Sequence, residues 1–91
     1  MDKEYLTEND DGSVDIELKR GLEVDGSIVK VLRMREPTVA DQIAASEVKG
    51  SEAEQEVRLI ANLCEVSLDD VRGLTLRDYR RIQNAFLSMT E

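Results

Sequence analysis

Pro37 is the only proline of the chain, and the hydrophobic period changes there. Before it, Val14, Ile16 and Leu18 alternate with Asp15, Glu17 and Lys19, the period-two pattern of a half-buried strand. Leu22 and Val24 resume that alternation in phase after Arg20-Gly21, so Gly21 marks a bulge, a bend or a loop start. Asp25-Gly26 suits a two-residue hairpin turn, in which both central positions take positive φ. Residues 27–36 then form the return strand. Strict alternation sends Ile28, Leu32 and Met34 to one face, with Lys30 among them. It sends Val29, Val31, Arg33 and Arg35 to the other.

Past the proline the pattern is helical. Pro37 drives Glu36 towards extended geometry and removes a backbone donor, which ends the strand. Four helix starts share one design: Thr38 with Asp41, Ser51 with Glu54, Ser67 with Asp70, and Thr75 with Asp78. In each, a hydroxyl satisfies a free N–H of the first turn, and an acid three residues on favours the positive end of the helix dipole and can reach back to the cap. Val66 with Val71 and Leu74 with Tyr79 fit hydrophobic staples, and Gly50 and Gly73 stand where helix-ending glycines belong. The expected helices are 39–49, 52–65, 68–72 and 76–89. The second is apolar on most of its later surface, and the last carries a stripe of Leu76, Tyr79, Ile82, Phe86 and Met89. The reading is an α+β fold: an N-terminal β-hairpin over 14–36, followed by a bundle of three to four short helices, all in one domain spanning 14–91. Residues 1–13 read as an acidic disordered tail. Asn9, Asp11 and Gly12 echo a calcium loop, but Thr7 and Leu18 occupy the positions that need Asp and Glu, so that reading fails.

The charge balance narrows function. Twenty acidic and 12 basic residues leave a net charge of -8, which disfavours nucleic acid and anionic lipid as partners. No apolar run approaches the roughly 18 residues of a membrane span, and Met1-Asp2-Lys3-Glu4 lacks the basic start of a signal peptide. The single cysteine, Cys64, lies at helical spacing with Ile60, Ala61 and Leu63, as a core thiol would; it fits a reducing compartment. With no His and no second Cys, neither an imidazole base nor a cysteine-rich zinc site is available, and no glycine-rich phosphate loop is present. No catalytic residue, cofactor or metal is expected.

Protein binding remains. Arg77, Arg80 and Arg81 crowd the early turns of the last helix, against its dipole, so they either face an acidic neighbour or pair with Glu52, Glu54 or Glu56 of the same chain. The hairpin face carrying Val29, Val31, Arg33 and Arg35 is the other candidate, since two strands alone make an unfinished sheet. Its valines are equally explained by strand preference.

The order of these features resembles a known family. A short hairpin runs into Arg35-Glu36-Pro37-Thr38 with Asp41, and the last helix carries Leu74-Thr75-Leu76-Arg77-Asp78-Tyr79 and then Phe86-Leu87. This is similar to the tail assembly chaperones of Mu-like and related contractile-tailed phages, over about residues 14–87. The family pattern also leads one to expect a proline near Lys19 to Leu22, and this chain has none. The resemblance implies a non-enzymatic protein of the bacterial host cytoplasm, absent from the mature virion. Its implied partner is the tape measure protein, kept soluble until tail-tube subunits polymerise around it. Tail-tube subunits and a frameshifted longer form of the chain are further implied partners; a chain ending at Met89-Thr90-Glu91 would be the short form. Apart from the resemblance, a homo-oligomer is a further candidate, since a second copy of the chain could cover the hairpin edge. The competing reading is a small acidic regulatory or adaptor domain that binds a basic protein. The cap reading has its own test: Thr38→Ala is expected to cost about 1 kcal/mol in thermal or urea unfolding, whereas an unchanged melting curve removes Thr38 as a cap.

Overall fold

The computed structural model describes residues 4–91. Three antiparallel strands, β1 (Leu6–Glu8), β2 (Val14–Val24) and β3 (Ser27–Met34), form a sheet in the order β1-β2-β3. Four helices follow: α1 (Val39–Ser46), α2 (Glu52–Cys64), α3 (Leu68–Arg72) and α4 (Leu76–Met89). The sheet is one layer and the helices the other, with the core between them. Val14 and Ile16 of β2, Met34 of β3, Ile60 and Leu63 of α2 and Ile82 of α4 are fully buried there. Cys64 is buried with them, and desolvation pushes its thiol up to about 12. The fold is therefore α+β, with the strands first and the helices after them.

Of the segment expected to be a disordered tail, residues 1–3 lie outside the described residues, and the rest carries the third strand. Leu6, Thr7 and Glu8 pair with Ile16, Asp15 and Val14. Its hairpin loop holds itself: the Asp11 carboxylate accepts from the Ser13 N–H (2.9 Å) and hydroxyl (2.6 Å), and Asn9 donates to the Ser13 hydroxyl (3.0 Å). The residues that echoed a calcium loop are thus taken up in a turn. Tyr5 anchors the strand further. Its carbonyl accepts from the Glu17 N–H (2.8 Å), its hydroxyl accepts from Asn84 (2.6 Å), and the Arg81 guanidinium lies 4.5 Å from the centre of its ring.

The β2–β3 ladder breaks once. Glu17 pairs with Val31, yet Leu22 pairs with Val29, so several β2 residues bulge out opposite Lys30. The cause is Asp78. This carboxylate, fully buried at the start of α4, accepts from the backbone N–H groups of Lys19 (2.6 Å), Arg20 (2.9 Å) and Gly21 (3.1 Å). Gly21 permits the bend, at φ +93°. A Cβ there would stand 2.7 Å from Ile28 Cγ2 and 3.0 Å from the Val29 carbonyl. The bulge also shifts the phase of β3. Val29 turns inward against the core and Ile28 turns out, 59% exposed, the reverse of the faces that strict alternation assigns them.

The helix starts are capped as the sequence suggests, but the acids divide their work. Thr38, Ser51, Ser67 and Thr75 each accept from the N–H three residues on. Only Asp41 and Asp70 reach back to close a reciprocal box. Asp78 crosses to the bulge instead. α1 ends at Ser46, short of 49, and past its end Gln55 donates to the Val48 carbonyl (3.0 Å). α2 ends one residue before Glu65, which takes a left-handed conformation at φ 56°; Gly73, by contrast, stays right-handed.

Burial by itself would raise the Asp78 carboxyl, but the three N–H donors, with the Arg81 charge, outweigh it and hold it below the ordinary value. Folding therefore favours the ionised form. That stability is complete above about pH 4, where an unfolded Asp is already ionised. It is lost as pH falls from there through the lower folded value. Asp78→Asn is expected to lower the unfolding free energy at neutral pH by about 3 kcal/mol and to weaken the loss of stability below about pH 4. Urea denaturation at several pH values checks both; a variant as stable as the parent at pH 7 would remove Asp78 from this role.

Candidate protein-binding face

The corner after β3 fixes the helical layer. Arg35 clasps Asp41 through two parallel bonds of 2.7 and 2.8 Å. Asp41 also accepts from the Thr38 N–H (2.9 Å) and hydroxyl (3.0 Å), and the Arg35 N–H donates to the Leu63 carbonyl (3.1 Å). The Arg35 guanidinium, followed by the Thr38 donors, holds the Asp41 carboxyl far below the usual carboxylate range. The strand end, the start of α1 and the end of α2 are thereby tied at one point. α2 is tied to α4 by Glu56, which accepts from the Tyr79 hydroxyl (2.7 Å) and Gln83 (3.1 Å). Burial, with that nearby carboxylate, raises the Tyr79 phenol well above its ordinary value.

Between these ties the outer side of the helical layer is open. A cleft of about 440 Å³ runs between α1, α2 and α3 and reaches Leu59. A second, of about 240 Å³, is lined by Pro37, Val39, Leu59, Phe86 and Met89. A third, of about 430 Å³, lies between α2 and α4 over Ile60, Phe86 and Leu87. Leu59 borders the first two and Phe86 the last two, so the clefts follow one another as a track across the helices, its apolar floor flanked by polar residues such as Asp41, Arg58, Glu56 and Gln83. Large side chains are left in solvent on the same helices: Val39 is 76% exposed, Leu87 64% and Ile43 54%. Nothing in the fold requires these residues to be apolar. Grouped exposure of this kind marks an interaction surface.

The residues singled out in the sequence fall elsewhere and do not form one site. Val29 packs partly against the core, while Val31 stands in solvent on β3. Arg33 pairs across the strands with Asp15 (2.7 Å) in an exposed bridge, and Arg35 is committed to Asp41. Arg81 donates to the Glu17 carbonyl (2.8 Å) and stacks on Tyr5. Arg77 and Arg80 are exposed, and neither makes an ion pair among the described residues. The expected alternative, pairing with Glu56, is replaced by the Tyr79 and Gln83 bonds. The track was missed because its parts come from four helices. The signal in the sequence was apolar residues lying off the core stripes: Val39 and Ile43, four apart on α1, and Leu87 beside Phe86.

Among the described residues no group of His, Cys, Asp or Glu is placed to hold a metal, and no helix is long and apolar enough to cross a membrane. A small α+β scaffold with an open apolar track is a protein-binding module. The family of phage tail assembly chaperone proteins described as "E, or 41 or 14" matches residues 15–91. The chain belongs to that family: its role is that of a chaperone of phage tail assembly, acting through protein–protein contact and not as an enzyme. No curated protein and no solved structure matches it.

Proposed function

We propose that this chaperone binds the tape measure protein in the host cytoplasm and keeps it soluble until tail-tube subunits assemble around it, and that it does not stay in the finished virion. The observation that carries this reading is the track from Val39 over Leu59 and Phe86 to Leu87. A long helical client exposes apolar stripes before its own partners cover them. An apolar track of several side chains' width receives such a stripe by the helix-in-groove mode, with residues three and four apart as anchors. The acidic remainder of the chain, at a net charge of -8, keeps the loaded complex soluble by like-charge repulsion.

The test is co-expression with the tape measure protein of the same phage. The parent chain is expected to co-purify with it and to raise its soluble yield. Val39→Asp with Leu87→Asp is expected to abolish both effects while leaving the melting curve of the free chaperone within about 0.5 kcal/mol of the parent, because both side chains are already exposed. Retained co-purification by the double variant moves the site off the track. Failure of the parent chain to bind refutes the tape measure protein as the client.

A further inference from the structure

A second surface lies at the bulge, away from the helical track. Asp78 gathers the backbone of Lys19, Arg20 and Gly21, and Lys30 of β3 and Arg81 of α4 reach the same stretch of β2. A concavity of about 490 Å³ opens there, lined by Glu17, Leu18, Lys19, Lys30, Val31 and Arg81, three cations to one acid. Two of the cations are anchored on carbonyl oxygens and not on carboxylates. Lys30 Nζ donates to the Lys19 carbonyl (3.1 Å), and Arg81 donates to the Glu17 carbonyl (2.8 Å). Their positions are fixed without a direct ion pair. The Arg81 charge acts on Asp78, but that carboxylate is turned to the backbone donors. Among the described residues none of Lys19, Lys30 and Arg81 makes an ion pair, although the chain has 20 acidic residues.

We propose that this concavity docks a short acidic segment of a protein partner, with a carboxylate between Lys19, Lys30 and Arg81 and an apolar side chain over Val31. Val31 is 52% exposed and forms an apolar part of its lining. Charge selects the occupant. The protein outside the patch is strongly acidic, so a long polyanion such as nucleic acid is repelled wherever it extends past Lys19, Lys30 and Arg81. A short acidic peptide touches only the patch. This surface is separate from the track that carries the tape measure reading, and its test does not involve that protein, so either can fail alone.

The probe is a fluorescent peptide of alternating Glu and Leu, followed by anisotropy. The parent protein is expected to bind it, more weakly as salt rises. Lys19→Gln with Lys30→Gln is expected to weaken binding by about tenfold. Lys19→Gln alone removes no hydrogen bond of the Lys19 side chain, leaves the fold intact, and is expected to weaken binding by about threefold. Arg80→Gln, on the opposite, α2-facing side of α4, is expected to bind as the parent does. The proposal is overturned if the parent fails to bind, if the double variant binds as well as the parent, or if single-stranded DNA of equal charge binds as tightly as the peptide.

Discussion

A carboxylate buried under a sheet must either be neutralised or be met by donors, and Asp78 is met by three consecutive backbone N–H groups. Much of the architecture depends on that contact. It takes β2 out of register with β3, turns Val29 inward, and seats the first turn of α4 against the sheet. Each of the three N–H groups would otherwise need another partner, since the bulge removes them from the ladder. The bond is therefore an exchange: the ladder gives up several pairings, and the helix supplies one acceptor that serves them all. Arg81, one turn further along α4, completes the join by capping the Glu17 carbonyl and holding Tyr5 beneath its guanidinium.

A second carboxylate does the same at the other end of the sheet. Asp41 is the third residue of α1, as Asp78 is of α4, and it likewise serves as more than a cap. Through Arg35 it fixes the exit of β3, and through the Arg35 N–H that strand is joined to the end of α2. Two helix-start acids thus bind helices to strands at opposite ends of one layer interface. The apolar core supplies most of the stability, and these contacts decide the arrangement in which it is packed. The helices stay far enough apart on their outer side to leave the track over Leu59 and Phe86 open.

Much of this was legible in the residues. The change of period at Pro37 separated sheet from helices, and the four hydroxyl caps located every helix start. The Asp25-Gly26 turn takes positive φ at both positions, as its sequence demands. The misses have physical causes. β1 is three residues long, too short to show alternation, and its stability comes from Tyr5 contacts with residues far along the chain. The faces of Val29 and Ile28 follow from a bulge whose cause, Asp78, lies 57 residues beyond Gly21; local alternation carries no trace of it. The Arg-Glu-Pro-Thr corner and the Asp-Tyr pair that carried the family resemblance prove to be the two strand–helix locks. They mark the fold. The track, built from side chains on four helices, had no contiguous pattern to reveal it.

Family membership makes the protein a chaperone of phage tail assembly, and the locks explain how so small a chain holds a rigid binding face. With 91 residues and three aromatic side chains the core is modest. Rigidity comes from buried polar contacts that are fully paired: among the described residues no buried side-chain nitrogen or oxygen lacks a partner. The most direct measurement of this account is native-state hydrogen exchange at the amides of Lys19, Arg20 and Gly21. If Asp78 locks the bulge, all three exchange only on global unfolding, with protection matching that of the central β2 amides. Exchange as rapid as at the Asp25-Gly26 turn would show that the bulge is an ordinary loop, and would contradict the claim that the fold is built around it.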